Sequence, residues 1–366
     1  MSALPGNRVA GLDLLRGLAI LLVLVRHGFS HLMPSAGIVG VVIFFTLSGY
    51  LITGVLHRDI TRYGRVRYGH FYRNRALRLI PALVLVVATF AVVEALTNIL
   101  GDRDIVVRSV IVALTYTADV PIHNSISVGL SHLWTLAVEE QFYLLWPLVL
   151  VWAIRARRMK SMFLGGAVIA LTVSGLTIML VHSNVAQVYR LPTSWTIAIL
   201  IGAAAYVWRE RLFSLLTNRL APFAAAAGLA ALLALSFLPI NSNSNPLLYL
   251  LGAPAIAIST VALIIYLSAW KSVPSRAFAP LLFLGTISYG AYLWNYLITN
   301  WLGVEKAPAW VGALSIVLTV IAATASWYLV EKRVLSLKDK LDARSARLAD
   351  KRTSLRSEVA SPDTLA

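Results

Sequence analysis

Apolar runs of about twenty residues, separated by short polar connections, fill the chain as far as residue 330. A helix that crosses the hydrocarbon core of a bilayer needs about 20 mainly apolar residues. Ten segments meet that requirement: 12–32, 37–57, 80–100, 133–154, 162–182, 193–208, 222–239, 247–269, 280–302 and 309–330. The pattern predicts an all-α, polytopic transmembrane helical bundle of about ten spans. Residues 106–120 (VVRSVIVALTYTADV region) are apolar but short. A full crossing there would invert every later loop, so this segment is expected to be re-entrant or interfacial. From residue 333 the apolar pattern gives way to charges of alternating sign. Residues 1–332 are therefore expected to form the membrane domain, and 333–366 a charged cytoplasmic tail, disordered or partly helical.

Charge fixes the expected orientation. The connection 58–78 carries Arg58, Arg62, Arg65, Arg67, Arg73, Arg75 and Arg78, which places it on the cytoplasmic side. Alternating crossings then put Arg155–Lys160, Arg209–Arg219, Lys271–Arg276 and the tail on the same side, with both termini inside. Of the 32 Lys and Arg residues, only Arg26, Arg103, Arg108, Arg190 and Lys306 fall elsewhere. The same dispersion excludes a nucleic-acid-binding reading of the net charge of +16. Hydrophobic residues make up 58% and charged residues 13% of the chain, far from soluble-domain proportions of about half and a quarter. The first run is too long and too interrupted for a cleaved signal and is read as a retained span. With no cysteine in the chain, disulfides, acyl-cysteine intermediates and thiolate metal sites are excluded.

Against this apolar background the ionisable residues within spans stand out, because they are costly there and usually face a protein interior or a polar cavity. Arg16 and His27 lie in the first span, eleven positions apart. Eleven steps of about 100° return to within about 20° of the same face, so they share a stripe about 16 Å long. His31 extends that stripe by a turn. His27 and His31 have i, i+4 ligand spacing, but no third ligand is near in sequence, and no metal is expected. The alternative reading of Arg16 is snorkelling to the interface beside Asp13. That of His27 is a neutral bridge between helices.

Glu139 and Glu140 sit in a second apolar run, His132–Pro147. If that helix starts near Leu133, Glu139 lies at about the depth of His27, and a His–carboxylate pair is geometrically possible. Such a pair would fix the tautomer of a general base. A structural ion pair with Arg16 or Arg108 is the alternative. Arg75 and Arg78 share a face just before Pro81, and forked guanidinium groups suit phosphates; taken alone, ordinary topology-setting charge or anionic-lipid contact explains the pair better. Ser48-Gly49, within Gly40–Tyr50, reads first as close helix packing.

Taken together these segments resemble acyltransferase family 3, the integral membrane O-acyltransferases. The carrying residues are Asp13-Leu-Leu-Arg16 with His27, Val42–Leu51, Arg75–Arg78 before Pro81, Trp134–Tyr143, Gly285–Trp294 and Ser326–Glu331. The resemblance implies transfer of an acyl group, commonly acetyl, from cytoplasmic acyl-CoA to a hydroxyl of a glycan or glycosylated small molecule. It also implies functional roles for Arg16, His27, Glu139 and the arginine pair. There are three departures. Thr135 stands where serine is usual, Asn295 where histidine usually follows Tyr-Leu-Trp, and Thr193–Gly202 lacks the arginine and aspartate often seen before its glycine. No fused esterase-like domain is expected after the last span.

The expected protein is thus a membrane-bound O-acyltransferase of the inner cell membrane, with acetyl-CoA as co-substrate and no metal. His27 is the expected base, with an acyl-histidine relay as the variant that the sequence does not separate from direct transfer; Glu139 is its orienting carboxylate with Glu140 in reserve, and Arg16 a residue of the donor path. Arg75, Arg78 and Arg73 are expected to hold the donor phosphates; the sequence assigns no oxyanion donors, with Arg16 and Ser48 as candidates. Its partners would be the glycan or glycosylated acceptor, acyl-CoA and the lipid bilayer, with no nucleic acid. A transporter or flippase of a glycan or lipid intermediate, or an acyl-passing partner of a separate transferase, fits the same spans.

Overall fold

A computed structural model describes residues 9–120, 126–180, 188–215, 219–239, 245 and 247–337. Most of the expected tail, 338–366, lies outside them. Twelve helices of seven or more residues, and no strands, are found among the described residues: α1 (Ala10–Gly28), α2 (Ala36–Tyr63), α3 (Tyr68–Thr97), α4 (Val106–Leu114), α5 (Trp134–Arg155), α6 (Met159–Leu180), α7 (Pro192–Val207), α8 (Arg209–Leu215), α9 (Ala221–Phe237), α10 (Ala253–Leu267), α11 (Ala279–Trp301) and α12 (Ala309–Ser326).

Seven helical stretches are long and apolar enough to cross a membrane. Helices α7 and α9 are apolar but shorter, and α1 carries Asp13, Arg16 and Arg26. Helix α4 has nine residues, about 13 Å of rise, which is less than half of a hydrocarbon core. A multi-pass membrane protein follows.

Helix α2 is the central post. Of its most apolar window 78% is buried, against 22% for α6 and for the last span beginning at Ala309. It packs on α1 and α7, and α1 packs in turn on α11. The close approach of α2 to α7 depends on two glycines: a Cβ on Gly49 would overlap the Ile199 carbonyl, and one on Gly202 the Thr46 carbonyl. Small residues at such crossings let backbones touch where no hydrophobic effect drives association. Leu144, Leu145, Leu148 and Trp152 of α5 form an exposed apolar face suited to lipid.

Helix α1 ends at Gly28, earlier than the apolar run predicts. The chain turns before Pro34, whose carbonyl accepts from Arg26 Nε at 2.8 Å. Ser35 then anchors the turn on α9, with Oγ donating to the Leu238 carbonyl at 2.6 Å. His31 is consequently exposed and off the Arg16–His27 stripe, so the expected extension of that stripe and the His27/His31 ligand pair do not form. At the other end of the sequence, a wide π-turn at Trp327–Glu331 follows α12 and buries the Glu331 side chain, which accepts from Ser326 Oγ at 3.0 Å.

Candidate active site

The crossing of α2 with α7 turns Ser48 toward α5, while the first turns of α3 bring Arg75 and Arg78 to the same place. These residues border a cavity of about 210 Å³ whose polar wall includes Ser48, Thr135, Glu139 and Tyr292. Beside it lies a wider chamber of about 1010 Å³, lined by Arg58, Arg62, Arg67, Arg209 and His57 among others. Arg16, Arg75, Arg78 and Tyr289 border both and form the neck between them. Apart from Arg16 of α1, the basic residues of the chamber come from the end of α2, the start of α3 and the start of α8. Each belongs to a loop-proximal cluster that topology alone explains, and only the fold shows that they enclose one space.

The expected site residues separate into three groups. At the neck, Arg16 forms an ion pair with Asp13, one turn away on α1. Arg75 is engaged by a carboxylate and an aromatic face. Its Nε donates to both Glu140 oxygens, at 2.8 and 3.0 Å, and its Nη2 to Glu140 Oε1. The guanidinium lies over the Tyr143 ring, 3.5 Å from its centre. Arg78 is exposed toward both cavities, whereas Arg73 is exposed but borders neither.

In the inner cavity Glu139 accepts from Ser48 Oγ at 2.7 Å. A hydroxyl has one proton, so Ser48 in this arrangement has none to give an oxyanion. The Gly40–Tyr50 segment thus divides its work: Gly49 provides the close packing, and Ser48 carries the polar contact.

His27 stands apart from both. It is half-buried and borders neither cavity. Its Nδ1 lies 2.5 Å from Asn295 Oδ1 of α11, and its ring meets the edge of Tyr296 with centres 4.9 Å apart. An aromatic layer separates it from the inner cavity: Thr135 Oγ1 and Tyr292 OH are 2.6 Å apart, and the His132 ring lies 5.3 Å from both Tyr292 and Tyr296.

The pair expected between His27 and Glu139 is therefore not made. The α5 side reaches the neighbourhood of His27 through His132, and Glu139 is two turns, about 10 Å, deeper. The sequence offered two signals for the actual partners. Asn295 was visible as a departure from the family pattern, and it touches the histidine itself. His132 heads the glutamate segment. Nothing local pointed to Ser48–Glu139 or Arg75–Glu140, which are 91 and 65 residues apart.

Among the described residues no cluster of three His, Asp or Glu side chains is placed to hold a metal ion. The geometry defines a multi-pass membrane protein with a basic chamber narrowing to a small cavity that holds a carboxylate and a hydroxyl. The family model for an acyltransferase domain matches residues 9–331, and the chain belongs to acyltransferase family 3. It is 31% identical over 352 residues to the peptidoglycan O-acetyltransferase OatA of Listeria monocytogenes, covering 88% of this chain and 55% of that protein. The O-acetyltransferase OatA of Staphylococcus aureus is 29% identical over 351 residues, 88% and 56% of the two chains. The putative peptidoglycan O-acetyltransferase YrhL of Bacillus subtilis is 32% identical over 358 residues, 89% and 55%. The chain thus spans about half the length of these relatives. No solved structure matches it.

Proposed function

We propose that this chain is an O-acetyltransferase of the inner cell membrane that moves acetyl from cytoplasmic acyl-CoA to a hydroxyl of an envelope glycan. In this reading it has ten spans and both termini on the cytoplasmic side. The acceptor class is the one that the relatives' names give, peptidoglycan. What supports the reading most is the arginine-lined chamber that narrows at Arg16 and Arg78 into the cavity of Ser48 and Glu139. A phosphate-rich headgroup fits the chamber, and a slender, mostly apolar arm fits the cavity. Arg78, at the neck that both spaces share, binds the donor phosphates with Arg58 and Arg62 of the chamber, and Arg75 braces Glu140. Arg16 shapes the neck. Glu139 meets a polar N–H of the donor arm rather than orienting the base.

His27 is the base. Its half-buried ring lies about 16 Å along α1 from Arg16, on the far side of the aromatic layer. Donor and acceptor therefore approach from opposite ends, and the Tyr292–His132–Tyr296 layer opens for the thioester to reach the ring. His27 takes the proton of the acceptor hydroxyl as its oxygen attacks the thioester carbonyl. Collapse of the tetrahedral intermediate breaks the carbon–sulfur bond. The imidazolium returns its proton to the departing CoA thiolate, and an ester and a thiol result.

Purified protein, acetyl-CoA and soluble peptidoglycan fragments test this. Released CoA is read with a thiol reagent, which meets no protein thiol because the chain has no cysteine, and CoA released without protein is subtracted. His27→Ala is expected to abolish transfer. Arg78→Ala is expected to raise KM for acetyl-CoA about 10- to 100-fold, the size of one lost charge-assisted contact. Full transfer by the His27→Ala protein, or no acetyl in the glycan from the wild type, would sink the proposal.

A further inference from the structure

His27 is held from one side by an amide. Asn295 is 1% exposed, and its Oδ1 sits 2.5 Å from His27 Nδ1. The helices that carry the two residues are locked in register. Gly285 of α11 leaves no room for a Cβ against the Asp13 carbonyl, and Gly17 of α1 leaves none against that of Leu281. Those contacts lie about three turns before His27 and Asn295 on helices running in the same direction, so the pair cannot slide apart.

An amide oxygen accepts and does not donate. Against it Nδ1 must carry the proton, and the lone pair is then on Nε2. Asn295 Nδ2 is buried and has no hydrogen-bond partner. Burying an unpaired amide donor is costly, and a leucine would fill similar volume without that cost. What the amide supplies in return is its oxygen at Nδ1. The opposite amide orientation would aim Nδ2 at Nδ1, leave Oδ1 unpaired and move the imidazole proton to Nε2.

We propose that Asn295 is a positioning residue that fixes His27 in the Nδ1–H tautomer and presents Nε2 as the proton acceptor. It does for this histidine what a carboxylate does in a charged dyad, without setting a negative charge beside it in the membrane. Glu139 is not needed for that task. The proposal rests on His27 acting as the base.

Steady-state transfer by wild type, Asn295→Leu and Asn295→Asp, with acetyl-CoA and peptidoglycan fragments, tests it. Leucine offers no acceptor, and kcat is expected to fall about 100-fold with KM for acetyl-CoA within about twofold. Aspartate returns an oxygen to the same place, and kcat is expected to recover to within about tenfold of wild type. A merely structural amide would make the buried aspartate at least as damaging as leucine. Asn295→Asp as slow as Asn295→Leu, or Asn295→Leu within about threefold of wild type, overturns the proposal. Nitrogen-15 NMR of the wild-type histidine rings, with His27 assigned by its loss in His27→Gln, decides the matter without relying on folded Asn295 variants. Protonated Nδ1 is expected, and protonated Nε2 overturns it. Transfer that survives His27→Ala defeats the base reading itself; transfer lost in His27→Ala but intact in Asn295→Leu defeats only the positioning role.

Discussion

Removing Glu140 exposes what Arg75 is for. In the native protein the guanidinium has a bidentate carboxylate on one side and the Tyr143 face on another, with side-chain exposures of 18% for Arg75 and 19% for Glu140. Opposite charges about 4 Å apart attract by about 4 kcal/mol at the effective dielectric of a partly wetted site. The remaining access to water lowers this, so a coupling of about 2–3 kcal/mol is expected. Glu140→Gln and Arg75→Leu should each destabilise the protein by about 3 kcal/mol, and the double variant by much less than their sum. Unfolding in mixed micelles with rising sodium dodecyl sulfate, followed by tryptophan fluorescence, gives the cycle. A coupling below about 0.5 kcal/mol would refute the view of this pair as a brace. The donor offers an independent check. A phosphate ligand freed from its carboxylate would bind more tightly, whereas a brace removed leaves KM for acetyl-CoA unimproved. A lower KM in Glu140→Gln would return Arg75 to the binding site.

Two further outcomes follow from packing and from the end of α1. Gly49→Val places a branched side chain on the Ile199 carbonyl and should cost more than about 3 kcal/mol. Its measure is the loss of monodisperse protein in size-exclusion chromatography, and a well-folded Gly49→Val protein would show that α2 and α7 can separate. His31→Ala removes an exposed ring outside α1 and should change stability by no more than about 0.5 kcal/mol, with transfer near wild type. A large loss of activity in His31→Ala would mean that the turn after α1 takes part in the reaction.

The fold was readable because it follows from composition. Each apolar run became a helix, and the segment too short to cross became the nine-residue α4. Helix ends were less readable. The stop at Gly28 comes from Pro34, Arg26 and a contact with α9, none of which lies in the apolar pattern itself. Within the site, contacts made along one helix were legible: Asp13 and Arg16 are one turn apart, and they pair. Contacts between helices were not. Depth along two helices gave His27 and Glu139 equal heights and hence a plausible pair. The structure sets α5 at a different height: His132 meets the aromatic layer beside His27, and Glu139 lies about two turns further along, against Ser48. Asn295 shows the opposite case, in which a substitution seen in the sequence acquired meaning only when α11 brought it 268 residues back to His27.

The aromatic layer of Tyr292, His132 and Tyr296 has one more consequence. A basic chamber continuing as an open bore past His27 would be a leak. A membrane potential does about 2.3 kcal/mol of work on each unit charge per 100 mV, and ions and protons would run down it through such a bore. In the proposed reading, these packed rings make the bundle an airlock, through which a small uncharged group is handed from one side to the other while the membrane potential is preserved.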